Sequence, residues 1–171
     1  MIKQIRWITE TAVLLAGLIA LQALTKPLGQ FVTGSCVNAL LAVAVLLTGL
    51  HSGLVIAFIS PWLAFVLGIA PQPFVVPAIM LGNTVYVVLL NLLADPQGKD
   101  FPRQLLAWVT AAVCKFGILY LVITKFLAAL LPAPQAPKIL AMFSWPQLVT
   151  ALIGGAVALL IVPTLNKALH N

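Results

Sequence analysis

Apolar residues fill this chain in six long stretches, broken at intervals by proline, glycine and a few charges. The stretches run over about 8–25, 31–50, 52–70, 74–94, 103–131 and 145–168, and each comes close to the roughly 20 apolar residues that a helix needs to cross a bilayer. The breaks are chemically legible. Lys26-Pro27-Leu28-Gly29-Gln30 ends the first stretch, and His51-Ser52-Gly53 reads as a very tight turn after the second. Pro71-Gln72-Pro73 separates the third from the fourth, and Asp95-Pro96-Gln97-Gly98-Lys99-Asp100 is the one strongly polar loop. Pro132 to Lys138 forms a proline-rich connector, and Ser144, just before Trp145-Pro146, is placed to cap the last helix. The predicted architecture is an all-α integral membrane bundle of six transmembrane helices, a single domain over residues 1–171.

Composition fixes the class. The chain is 63% hydrophobic and only 7% charged, with a mean hydropathy of +1.15, against roughly 25% charged residues in a soluble domain. Lys3 and Arg6 precede an apolar run too long for the core of a cleaved signal, with no polar spacer after a small-residue cleavage site, so the first stretch is expected to stay as a span. The net charge of +6 does not indicate nucleic acid, because the basic residues lie scattered at helix ends rather than clustered among solvent-facing aromatics. Their distribution sets the orientation instead. With the N-terminus inside, the cytoplasmic side collects Lys3, Arg6, Lys99, Arg103 and Lys167, and the outside collects Lys26, Lys125 and Lys138. The positive-inside rule then places both termini of this multi-pass protein in the cytoplasm.

One charge stands apart. Lys115 lies about 12 residues into the fifth stretch, roughly 18 Å from its cytoplasmic start and so close to the midplane. An ammonium there costs about 2.5–3.5 kcal/mol on insertion scales. The three acidic residues are Glu10, which opens the first stretch, and the two of the polar loop, so beyond Glu10 no carboxylate in the spans is at hand to offset that cost. An anionic solute is one answer; hydrogen bonds to backbone carbonyls of a kinked neighbour are the other. Lys125, roughly 15 Å further along, lies near the outer surface and either joins the same site or snorkels.

The first stretch repeats Ala12, Ala16 and Ala20 every fourth residue, with Gly17 beside them. Small residues on one helix face let another helix approach closely. The last stretch opens Phe143-Ser144-Trp145-Pro146-Gln147-Leu148-Val149-Thr150-Ala151-Leu152-Ile153-Gly154-Gly155. With the size, the six stretches and the basic pI, these features resemble the membrane-embedded substrate-binding subunit, the S component, of energy-coupling-factor (ECF) vitamin transporters. The likeness covers essentially the whole chain. It implies capture of a vitamin or related micronutrient from outside. It also implies that Ala12, Ala16 and Ala20 contact a transmembrane coupling protein, the T protein, which carries two ABC-type ATPases, and that the subunit topples in the membrane to release its cargo.

In that topology the cavity opens outward, and polar groups in the outer half become binding candidates. Midplane polar residues of a membrane bundle face inward, where they line a cavity or bond between helices. The candidates are Lys115, Asn38, Asn83, Tyr86, Trp62, Gln147 and Lys125. Asn83 and Tyr86 share a face, Trp62 follows a helix-bending Ser60-Pro61, and Gly154-Gly155 beyond Gln147 lets a ligand or a helix come close. Trp7 and Trp108 read as interfacial anchors, as does Trp145 unless the proline-rich connector folds over it. That connector and the loop Lys26–Gln30 are candidate lids. The outer half carries only positive charge, which favours a carboxylate or phosphate; pantothenate, folate, nicotinate and a flavin are compatible cargoes, and a cation such as thiamine is not.

Catalysis has no visible machinery. There is no GxxxxGK[ST] loop, no HExxH, no GxSxG and no acidic pair within the spans, while His51 and His170 are peripheral. Cys36 and Cys114 sit in separate apolar stretches and read as small core residues, with no metal site and no cofactor expected. The competing reading is a non-transporting scaffold of the cell-elongation (rod-shape) machinery, whose members have similar length and hydropathy.

Overall fold

The computed structural model describes residues 2–70, 72–95, 98–127, 134 and 136–170, and among them it is helical with no strand. Six long helices and one short one follow in order: α1 (Ile2–Thr25), α2 (Gln30–Thr48), α3 (Leu50–Val66), α4 (Val76–Leu93), α5 (Phe101–Leu121), the short α6 (Ala136–Met142) and α7 (Trp145–His170). Short 3-10 turns at Lys26–Leu28 and Pro73–Val75 lead into α2 and α4, and α5 runs on as a π-helical turn over Val122–Leu127. Five of these helical stretches are long and apolar enough to cross a membrane, and Leu50–Val66 is a shorter apolar helix of 17 residues.

The helix ends follow from single residues. Gly49, at φ 90°, turns α2 directly into α3, and its N–H bonds back to Val45. The turn therefore precedes the His51-Ser52-Gly53 triplet, which already belongs to α3. Ser52 is buried within hydroxyl contact of Thr11 on α1 (2.7 Å), and Gly53 lies against Val87 and Val45. Ser144 also departs from expectation: its hydroxyl donates to the Ala141 carbonyl of α6 (2.7 Å) instead of capping α7. The polar loop before α5 is tied down. The Asp100 carboxylate accepts from the Arg103 N–H at 3.1 Å as an N-cap, the Arg103 guanidinium donates to Leu93 O, and the Gln104 amide donates to Asp95 O.

Helix α2 is the hub. It packs most extensively on α7 and also against α1, α3 and α4, while α5 pairs with α4 and α7. Five successive residues of α2, Leu41 to Val45, are all buried, as a helix enclosed on every side must be. Around them close Ile56 and Ala57 of α3, Tyr86 and Val87 of α4, Ala111 and Ala112 of α5, and Ala151 and Ala158 of α7. The outer surface stays apolar, with Leu24, Val66, Leu106 and Leu160 all exposed, as lipid contact requires.

The Gly154-Gly155 pair serves helix packing. A Cβ on Gly154 would lie 2.6 Å from Ser35 O and 2.7 Å from Ala39 N, so the backbones of α2 and α7 touch there. The Trp108 indole lies on Gly155, and its N–H donates to Ala151 O at 3.4 Å. Trp108 is thus a half-buried bundle residue and not the interfacial anchor expected, because a glycine on α7 leaves room for its ring. Replacing Gly154 by alanine gains up to about 1 kcal/mol of helix propensity, but overpacking against unyielding backbone costs about 1–3 kcal/mol. The clash wins. Gly154→Ala is expected to lower the midpoint of thermal unfolding in detergent, whereas Gly17→Ala, with nothing within 4 Å of its Cβ position, should leave it level or raise it.

Candidate functional site

Lys115 reaches the middle of the bundle from α5, where its side chain is 3% exposed. Its Nζ donates to Asn38 Oδ1 of α2 at 2.5 Å and to Asn83 Oδ1 of α4 at 2.7 Å. It also stands 5.3 Å from the centre of the Tyr86 ring, within cation–π range. The ammonium is therefore held by side-chain amides, and not by the carbonyls of a kinked backbone. Asn38 is itself fixed: its Nδ2 donates to Gly34 O at 2.9 Å and to Thr150 Oγ1 at 3.3 Å. The Thr150 hydroxyl passes the chain on to Gln147 O, and Tyr86 OH donates to Ala151 O. Four helices are joined in this way around one positive charge.

That charge is solvated but not neutralised. Bonds from a charged donor contribute about 1.5–3 kcal/mol each, which offsets much of the desolvation cost of the ammonium without changing its sign. Glu10 is engaged by Arg6 at 2.7 Å on the exposed face of α1. The Asp100 carboxylate caps α5 some 15 residues before Lys115, roughly 22 Å away along the helix.

Beside Lys115 lies a cavity of about 100 Å³, with no Asp or Glu in its lining among the described residues. Asn38, Asn83, Lys115 and Gln147 all line it, so α2, α4, α5 and α7 bring four of the predicted residues to one place. Its other walls come from the end of α1, the second half of α3, Ile69-Ala70 and Met142-Phe143, so it faces the end of the bundle away from both termini. Tyr86 lies one turn deeper and supports the ammonium without lining the cavity.

Two predicted residues lie elsewhere. Trp62 is 47% exposed: Ser60, Pro61 and Ala64 turn into the bundle, and at 100° per residue this sends Trp62 roughly 150° away. Lys125 is exposed on the π-helical turn, outside the cavity. Trp145 is also exposed, its ring 5.5 Å from that of Phe31. Of the two candidate lids, the loop Lys26–Gln30 contributes Gln30 to the cavity wall; in the proline-rich connector, residues 132, 133 and 135 lie outside the described residues, and 136–138 already belong to α6. Among the described residues no group of three His, Cys, Asp or Glu is placed to hold a metal ion.

Gln22, Thr33, Ser60 and Phe143 also line the cavity and were not foreseen. Gln22 carried a usable signal, as a lone amide in the apolar run Leu18 to Leu24, where lipid offers it no partner. Helix α1 turns Thr11, Leu18 and Gln22 inward as one stripe, and Ala12, Ala16 and Ala20, about 100–180° further round, are all exposed. The alanine stripe is thus not used within the bundle.

Neither a curated protein nor a solved structure matches the chain. The family model described as "ECF transporter, substrate-specific component" matches residues 6–166, nearly the full length of the bundle and all of the helices that build the cavity. The chain therefore belongs to the substrate-specific components of ECF transporters: it is a membrane-embedded, multi-pass transport subunit.

Proposed function

We propose that this subunit captures a water-soluble, anionic vitamin or related micronutrient from outside the cell and delivers it inward with a transmembrane T protein and two ABC-type ATPases. The observation that carries this reading is the Lys115 ammonium, bonded only to neutral amides at the wall of a cavity without carboxylates. Such a site attracts an anion and repels a cation, most strongly where water is excluded. Asn38, Asn83 and Gln147 are the accompanying ligand contacts in this proposal, with Tyr86 holding the ammonium from below. The rod-shape scaffold reading has no family match to support it.

The cavity faces away from the termini, so cytoplasmic termini make it open to the exterior, in keeping with the positive-inside charge distribution. Cysteine labelling in intact cells tests this orientation. A cysteine at Lys26 is expected to react with a membrane-impermeant maleimide, and one at Lys99 only after the cells are opened; the reverse pattern overturns the topology. Extraction of small molecules from the purified protein tests the cargo. A co-purified anion is expected, and a co-purified organic cation would count decisively against the charge argument.

A further inference from the structure

Thr33 departs from a rule that other hydroxyls of this bundle obey. Thr9, Thr11, Thr25, Ser35, Thr48 and Thr124 each donate to the carbonyl four residues earlier. Thr33 lies on α2 with its backbone N–H bonded to Gly29 O, yet its buried hydroxyl has no partner in the protein. Among the described residues, the buried side-chain polar atoms in this condition are Thr33 Oγ1, Gln22 Oε1, Asn83 Nδ2 and Thr84 Oγ1. The first three belong to residues that line the cavity beside Lys115. A buried polar group left unpaired costs about 1–3 kcal/mol, so their concentration at one cavity marks what that cavity is shaped to receive.

We infer that the ligand is a small carboxylate carrying a second hydrogen-bonding group, with the carboxylate held by Lys115 and Asn83 and the second group read by Thr33 and Gln22. This rests on the anion-binding role proposed for Lys115. An ammonium has three donors, of which the two asparagine oxygens take two. Because Asn83 Oδ1 accepts from Lys115, its amide orientation is set and Nδ2 remains a donor. Two donors side by side match the two oxygens of a carboxylate; a phosphate, with more oxygens and more charge, is left short of partners. Thr33 and Gln22 come from α2 and α1, a different wall from the α4 and α5 donors. A hydroxyl rotates and a terminal amide turns over, so this wall accepts either a donor or an acceptor on the ligand.

Size narrows the class. An enclosed cavity of about 150 Å³ takes a benzene-sized ring, and the volume of about 100 Å³ here, open at the end of the bundle, is of that order. A carboxylate on a single ring fits. Folate and flavins are too large for the cavity as it stands.

The test is calorimetric titration of the purified full-length protein in detergent with benzoate, 4-hydroxybenzoate, pyridine-3-carboxylate and pyridine-3-carboxamide. The better of the two polar carboxylates is expected to bind at least tenfold more tightly than benzoate, and the uncharged carboxamide at least tenfold more weakly than its carboxylate. Thr33→Val, which keeps the shape, and Gln22→Leu are each expected to reduce the advantage of the polar probes over benzoate without moving benzoate itself. Equal affinity for benzoate and both polar carboxylates, an equal loss for all probes in Thr33→Val, or no binding of any ring carboxylate overturns the inference. The underlying reading fails separately. If benzoate binds Lys115→Met as well as the unaltered protein, the anion role of Lys115 is wrong; if benzoate needs Lys115 but gains nothing from a second polar group, only this inference falls.

Discussion

Substituting Lys115 by methionine is expected to weaken binding of the anionic ligand by about a hundredfold or more, close to 3 kcal/mol, while the protein remains folded. The two halves of that expectation have separate physical causes. Methionine approximates the length and apolar stem of lysine, so the packing between α4 and α5 survives. It leaves Asn38 Oδ1 and Asn83 Oδ1 without their donor, a cost of about 1–3 kcal/mol each. It also removes a midplane ammonium that costs about 2.5–3.5 kcal/mol to insert. These terms nearly cancel for stability. They do not cancel for the ligand, which loses the only positive group on the cavity wall among the described residues. Equilibrium binding of the extracted ligand to purified Lys115→Met protein, with its thermal unfolding alongside, decides the matter. Unchanged affinity in a folded variant removes Lys115 from the site, and Lys115→Arg does not rescue a folding failure from ambiguity as well as Lys115→Gln, which keeps a donor for one asparagine while deleting the charge.

Replacing Ala16 by tryptophan is expected to abolish copurification with the T protein and its ATPases, and to leave ligand affinity within about twofold. Ala12, Ala16 and Ala20 form an exposed stripe on α1, facing away from the inward stripe of Thr11, Leu18 and Gln22. An indole added there meets no neighbour within the bundle, but it holds a partner helix several ångströms off, where the dispersion contacts that drive association in lipid are lost. Pull-down from membranes expressing the whole transporter reads the first effect and binding to the isolated subunit reads the second. Intact copurification of Ala16→Trp protein would show that the coupling protein docks elsewhere. A loss of both activities would point instead to a folding role for the stripe.

Much of this protein was legible before any fold was known, and the reason is the solvent. Lipid offers no hydrogen bonds, so an apolar chain must close its backbone bonds within helices, and proline, glycine and charge then mark where those helices stop. The all-α membrane bundle and the importance of a lone midplane lysine follow from that alone. Boundaries set by local backbone geometry were less accessible. Gly49 and His51-Ser52-Gly53 are both plausible turns in sequence, and the choice fell to Gly49 because Ser52 and Gly53 are needed inside, against Thr11 and Val87.

The sequence by itself determined the solvent of this protein, its helical class and the presence of an unneutralised positive charge near the membrane midplane. Only the tertiary structure decided which polar residues surround that charge. Asn38, Asn83, Gln147, Thr33 and Gln22 come from four different helices, and whether each faces the cavity depends on how those helices rotate against one another. The contact of Gly154 with the backbone of α2, and of Trp108 with Gly155, helps set that rotation. Hydropathy records how apolar a helix is and leaves open which way it turns, and a turn of one residue moves a side chain by about 100°. That is why Trp62 could be placed next to the cavity in sequence and lie on the outside of the bundle in space.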